Sequence, residues 1–195
     1  MSNDAYHHGN LRSALIEAAL RLVERGGPPS VSLRAVAREV GVSQAAPYAH
    51  FRDKRALMSA IAALGFKRLR DRLREAERAG CENLTELGKA YLAFARDNPG
   101  LYGLMFGPET EVDPADPALA QAGREAFAIL ARSSARPGDE GPGDPGPVAA
   151  WALVHGLALL SMSGRLPVGA GEAPDRVLKL LQPGIDAHRG EADAG

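Results

Sequence analysis

The segment Leu33–Lys54, LRAVAREVGVSQAAPYAHFRDK, holds the side chains with the most chemistry to offer. Gln44 and Ala45 stand together at the expected start of a short helix. A glutamine amide can make a two-point contact with adenine, and a small alanine can meet a thymine methyl. Tyr48, His50 and Lys54 follow, and each can hydrogen-bond a phosphate oxygen further along the same surface. Arg34, at the start of the preceding helix, is a further cation for a phosphate; Arg38 reads as solvated. Ser43 is placed to cap the short helix, and Pro47 would be its fourth residue. A proline there loses one hydrogen bond to the cap carbonyl, which predicts a bent or partly 3₁₀ start. Phe51 and Leu57 read as core.

Three features must position these groups. Ser32 can cap a helix over Leu33–Val40 whose residues Leu33, Val36, Ala37 and Val40 form one apolar face. Gly41 stops that helix where a left-handed backbone is required, and Val42 can plug the corner. With only Gly41-Val42-Ser43 between them, the two helices must cross, which is the helix-turn-helix geometry. An ordinary helix corner has the same short turn. The helix that starts at Lys54 offers its N-terminus to the same surface, a good place for a phosphate.

The rest of the chain also reads as helix, so the expected class is all-α. A first helix covers Leu11–Arg25, capped by Asn10 and stopped by Gly26-Gly27-Pro28-Pro29. Later helices are expected at Lys54–Gly80, Leu84–Asp97, Leu101–Phe106, 114–134, 148–163 and 173–188. Arg136–Pro147 is a Pro/Gly/Asp stretch that reads as a loop, and the last seven residues read as frayed.

Charge is unevenly spread over the 195 residues. Residues 1–55 hold eight Lys/Arg against five Asp/Glu, and 56–80 hold six against three. Residues 81–195 hold nine against sixteen, which brings the net charge to −1. A basic front and an acidic back suggest that the front meets a polyanion. Cys81 is single, so neither an internal disulfide nor a cysteine zinc site is possible. His7 and His8 point apart on a helix and lack a third ligand; an arm on the DNA backbone suits them better than a metal. No Gly-rich phosphate loop, metal-ligand cluster or nucleophile elbow is present, so neither enzyme nor cofactor is expected. The polar N-terminus lacks a signal-peptide core, and Val148–Met162 falls short of the ~20 residues of a bilayer span, which points to the cytoplasm.

Two pools of side chains lie in the back half. Tyr91, Phe94, Tyr102, Met105, Phe127 and Trp151 could line a cavity for an apolar small molecule, oriented by His155, or could simply fill a core. The stretch Val148–Met162 is apolar nearly all round and must be covered on more than one side. A second copy of the chain would cover it, through Leu153, Gly156, Leu157 and Leu160 with Val177, Leu180 and Leu181. The competing reading is a helical ligand-binding or interaction module whose basic head does not read DNA.

Gly41-Val42-Ser43 followed by Tyr48-x-His50-Phe51-x-x-Lys54-x-x-Leu57 resembles the signature of the tetracycline-repressor (TetR) family. Tyr6-His7-His8-Gly9-Asn10-Leu11-Arg12 is similar to the start of many members, and the likeness covers residues 6–68. Ala46-Pro47 departs from the Thr or Leu pair of many relatives and leaves base preference open. Trp151-x-x-x-His155-Gly156-Leu157, after Phe94-Ala95 and Pro99-x-Leu101-Tyr102-x-x-Met105-Phe106, resembles one C-terminal subfamily. The resemblance implies a three-helix DNA-binding head at 6–68 and a helical ligand-binding and dimerisation body at 69–189. It further implies a homodimer on double-stranded DNA with a palindromic operator. A small effector would tilt the Lys54–Gly80 helix and release a repressor.

Overall fold

The computed structural model describes residues 7–80, 83–107, 111–135, 144–166 and 173–190. Among them there is no strand. The helices are α1 (His7–Gly26), α2 (Leu33–Val40), α3 (Lys54–Arg78), α4 (Leu84–Asp97), α5 (Pro99–Phe106), α6 (Pro117–Ser134), α7 (Pro145–Met162) and α8 (Ala173–Gly190). Short 3₁₀ turns cover Pro28–Ser30 and Ala46–Ala49. Two compact units result. One runs to Phe66 and takes in Asn98–Ala122; the other holds Lys67–Asp97 and the chain from Gly123 onward. Chain order alone groups 98–122 with the body at 69–189, whereas compactness groups it with the head.

In the head unit, α1 buries Leu15, Ala18, Ala19 and Val23 on one stripe. It begins at His7, so Asn10 lies inside the helix rather than capping it. Gly27 (φ 70°) ends α1, and Ser30 Oγ donates to the Leu22 and Gly27 carbonyls across the stop. Ser32 Oγ accepts from the Ala35 N–H at 3.1 Å and caps α2. Leu33, Val36 and Ala37 are its buried face. Gly41 (φ 77°) and Val42 both donate to the Ala37 carbonyl, which closes the helix end. Arg25 and Arg21 of α1 reach Glu39 of α2, and Arg25 above all holds that carboxyl below its usual range.

One carboxylate ties the start of α5 to α1. Glu24 of α1 accepts from the backbone N–H groups of Gly100 (3.1 Å) and Leu101 (2.9 Å). Helix α5 has no side-chain cap of its own at Asn98, so Glu24 satisfies its first donors from outside. A Cβ on Gly100 would stand 2.8 Å from Glu24 Oε2 and 3.0 Å from the Val23 carbonyl. Phe66 packs edge-on to Phe106 beside Tyr102. Gly65 leaves room for Met105 and Leu101 against α3.

In the body unit, α4 packs against both α7 and α8. Gly88 makes this possible, because a Cβ there would meet Leu178 at 2.7 Å and Val154 at 3.2 Å. Leu84, Leu87, Tyr91, Phe94, Ile129, Leu130, Val154 and Leu178 are buried. Arg70 of α3 pairs with Asp71 and with Glu125 of α6, and Arg132 of α6 with Glu77 of α3. Helix α7 starts at Pro145, inside the stretch read as a loop from sequence; 136–143 of that stretch, like Cys81, lies outside the described residues. Pro145 and Pro147 sit in the first turn, where a missing N–H costs nothing, and Asp144 caps it through the Gly146 N–H. His188 of α8 holds the same Asp144 oxygen at 2.6 Å.

Candidate nucleic-acid interface

The expected short helix at Gln44–His50 is a 3₁₀ turn over Ala46–Ala49. Pro47 has no N–H to give an α-helical ladder, and the turn instead closes with Tyr48 N–H to Ala45 O and His50 N–H to Pro47 O. Ser43 enters through its carbonyl, which accepts from the Ala46 N–H at 3.0 Å, not through a hydroxyl cap. Pro47 is buried, so its ring packs the corner and is not a surface contact.

Ser43, Gln44 and Ala45 are exposed together, and Tyr48 is 54% exposed with its ring outward. His50 is half-buried. Beside Tyr48 lies a surface cleft of about 410 Å³ lined by Ser32, Leu33, Arg34, Tyr48, Arg52, Asp53 and Lys54. The starts of α2 and α3 therefore meet at one cleft carrying three cations and a phenol. Asp53 Oδ1 takes the Ala56 N–H at 2.7 Å, so part of the α3 N-terminus is already capped. Lys54 Nζ lies 3.1 Å from Glu111 Oε1. Arg52 and Asp53 are absent from the set read from sequence. Their place in an i−2, i−1 run before Lys54 was the available signal.

The pocket pool separates between the two units. Tyr102 and Met105 are buried in the head unit. In the body unit, Phe127 meets Trp151 edge-on at 5.7 Å, Trp151 lies 6.0 Å from the His155 ring, and Tyr91 Oη is 3.2 Å from His155 Nδ1. Burial pushes the His155 pKa down, which keeps its imidazole neutral. Phe94 is buried on α4, while Trp151 is 38% exposed.

The dimer pool also divides. Leu157 is only 8% exposed and belongs to the chain's own core, with Leu153, Gly156 and Val177 half-buried. Leu160, Leu180 and Leu181 are exposed, and Val148, Trp151, Leu159 and Met162 extend the open apolar surface of α7. Helix α7 is 18 residues long with mean hydropathy 1.3, and one third of it is buried.

Residues 15–61 match the family of bacterial regulatory proteins of the tetR family, and residues 84–182 match the tetracyclin repressor-like C-terminal domain. The chain is 29% identical over 96 residues to an HTH-type transcriptional regulator, YobS, of Bacillus subtilis, covering 48% of this chain and 50% of YobS. It is 34% identical over 103 residues to the nucleoid occlusion factor SlmA of Aliivibrio fischeri, covering 50% and 52%. It thus spans about half the length of the curated relatives it matches. A solved protein of unknown function from Rhodococcus sp. RHA1 superposes with TM-score 0.73 at 33% identity over 94% of this chain and 97% of that one. A TetR variant from Acinetobacter baumannii AYE, solved in complex with minocycline, shares the fold at TM-score 0.58 and 21% identity, over 90% and 96%. With a helix-turn-helix corner at one end and both family domains matched along its length, the chain belongs to the TetR family of DNA-binding transcriptional regulators.

Proposed function

We propose that this regulator is a homodimeric repressor that sits on a palindromic operator and leaves it when a small, largely apolar molecule binds the body. The observation that carries the DNA half is the single exposed face formed by Ser43, Gln44, Ala45 and Tyr48 beside the Arg34, Arg52 and Lys54 cleft. Gln44 and Ala45 supply base contacts, and the cleft seats a backbone phosphate with Tyr48 donating its hydroxyl. His50, half-buried, contributes at most a flanking phosphate contact. The cytoplasm is where such a protein would meet its operator.

The open apolar surface of α7 and α8 supports the dimer. Leu160, Leu180 and Leu181 would otherwise stay in water, and a two-fold partner would cover them. For the effector, the row Phe127–Trp151–His155–Tyr91 offers apolar walls with one polar end. The Acinetobacter protein that shares this fold was solved in complex with minocycline, which supports a small-molecule ligand for this chain.

The test is capture of genomic fragments by the purified chain, followed by a screen of apolar compounds on the captured duplex. Compounds that change Trp151 fluorescence and release the duplex support the whole reading. A chain that captures no fragment above a random control sinks it.

A further inference from the structure

The connection between α5 and α6 carries two acids that face the cations of the proposed phosphate seat. Glu111 Oε1 lies 3.1 Å from Lys54 Nζ. Asp113 reaches Arg55 at 3.4 Å and Arg52 at 3.8 Å, and Asp53 on the cleft itself lies nearer to Arg52 at 3.2 Å. The segment is fastened to α3 by more than charge. The Asp113 N–H donates to Ser59 Oγ at 2.8 Å, and Ser59 is fully buried. Arg55 Nε donates to the Val112 carbonyl at 3.4 Å. Val112 packs with Phe66 against Ala62, Ala63, Leu119 and Ala122. The Val112–Asp113 backbone is therefore held at the start of α3 by packing and hydrogen bonds, which keeps Asp113, and Glu111 beside it in the chain, next to these cations. Arg34, across the cleft, has no ion-pair partner among the described residues.

We propose that Glu111 and Asp113 form an internal counter-anion that competes with a DNA phosphate for Lys54 and Arg52. The segment sets the head's affinity below what its cations alone would give. This rests on the reading of the cleft as a phosphate seat. The competition has a particular signature. A phosphate that binds a free lysine releases its condensed cation, at about 0.9 ion per contact. A phosphate that takes Lys54 from Glu111 leaves a bare carboxylate, whose diffuse cation atmosphere offsets part of that release. Removing Glu111's charge restores the full release.

The test uses the full chain and a labelled duplex that the chain selects from a random-sequence pool. Glu111 is 57% exposed, so Glu111→Gln leaves folding intact, which a thermal melt checks. The variant should bind roughly two- to fivefold tighter at low salt, the scale of an exposed ion pair. Its plot of log affinity against log salt should be steeper by a fraction of one unit. In a Lys54→Ala background, Glu111→Gln should change neither quantity. If wild type binds duplex and Glu111→Gln matches it in affinity and slope, the competition is overturned while DNA binding stands. If wild type selects no duplex, the phosphate seat falls, and this inference with it.

Discussion

Tyr91 Oη and His155 Nδ1 lie 3.2 Å apart inside the body, a hydrogen bond that joins α4 to α7. Burial lowers the His155 pKa in the folded chain below the ordinary value of 6.5. The unfolded chain therefore binds a proton more readily than the folded one in the mildly acidic range. His155's contribution to stability is present above pH ~6.5 and is lost as pH falls through the depressed folded value. Thermal melts of wild type should drop on acidification through this range. His155→Gln should flatten that part of the curve; an equal slope in both proteins would remove His155 as its source.

Glu24 reaches 76 positions along the chain to cap α5. Glu24→Ala leaves two helix-start N–H groups without their carboxylate and should cost about 1 kcal/mol, the scale of a lost cap. Gly100→Ala should cost as much or more, because its methyl would press on the Val23 carbonyl, which cannot swing aside. Denaturant midpoints of the two variants and their double mutant give the measurement. The double mutant should be less than additive, since both changes act on one contact.

The corner of the head depends on Gly41. A Cβ there meets nothing within 4 Å, so Gly41→Ala is a clean test of backbone conformation at φ 77°. The left-handed region costs an L-residue about 1–2 kcal/mol. Denaturation should report that loss, and Ala at Gly123, a glycine in α6 with equally open space, should stabilise instead. Equal effects at the two positions would contradict the corner geometry.

For assembly, Leu157 and Leu180 separate the two faces of the α7–α8 surface. Leu180 is 76% exposed, whereas Leu157 is packed inside the chain. Leu180→Arg should therefore yield a folded monomer by light scattering, and Leu157→Arg should lose folded structure by circular dichroism. A Leu180→Arg protein that stays dimeric would place the interface elsewhere.

Around α2 the local signals in the sequence translated directly into structure, whereas the expected caps at Asn10 and Ser43 did not form. Ser32, the Leu33–Val40 face and Gly41 behaved as cap, apolar stripe and left-handed stop, since each depends on residues within one turn. Pro47 was visible as a defect, but the extent of its effect was not. Whether one proline bends an α-helix or converts the whole stretch to a 3₁₀ turn depends on how the ring packs, and here it is buried. Pro145 and Pro147 read as loop residues because their tolerance depends on being in the first turn, which Asp144 sets. Leu157 looked like its neighbours on an all-apolar helix, whose even distribution hides the inward side. The long-range partners Glu24–Gly100, Lys54–Glu111 and Tyr91–His155 leave no periodic trace, since they are products of folding.

On the proposed reading, the face around Gln44, Tyr48 and Lys54 binds duplex DNA. The most direct test is a fluorescence-anisotropy titration of the selected duplex with the triple variant Gln44→Ala/Tyr48→Ala/Lys54→Ala, its fold verified by circular dichroism. Loss of a base contact and two phosphate contacts should weaken binding by roughly a hundredfold or more. A folded triple variant that binds the duplex as tightly as wild type would contradict the account.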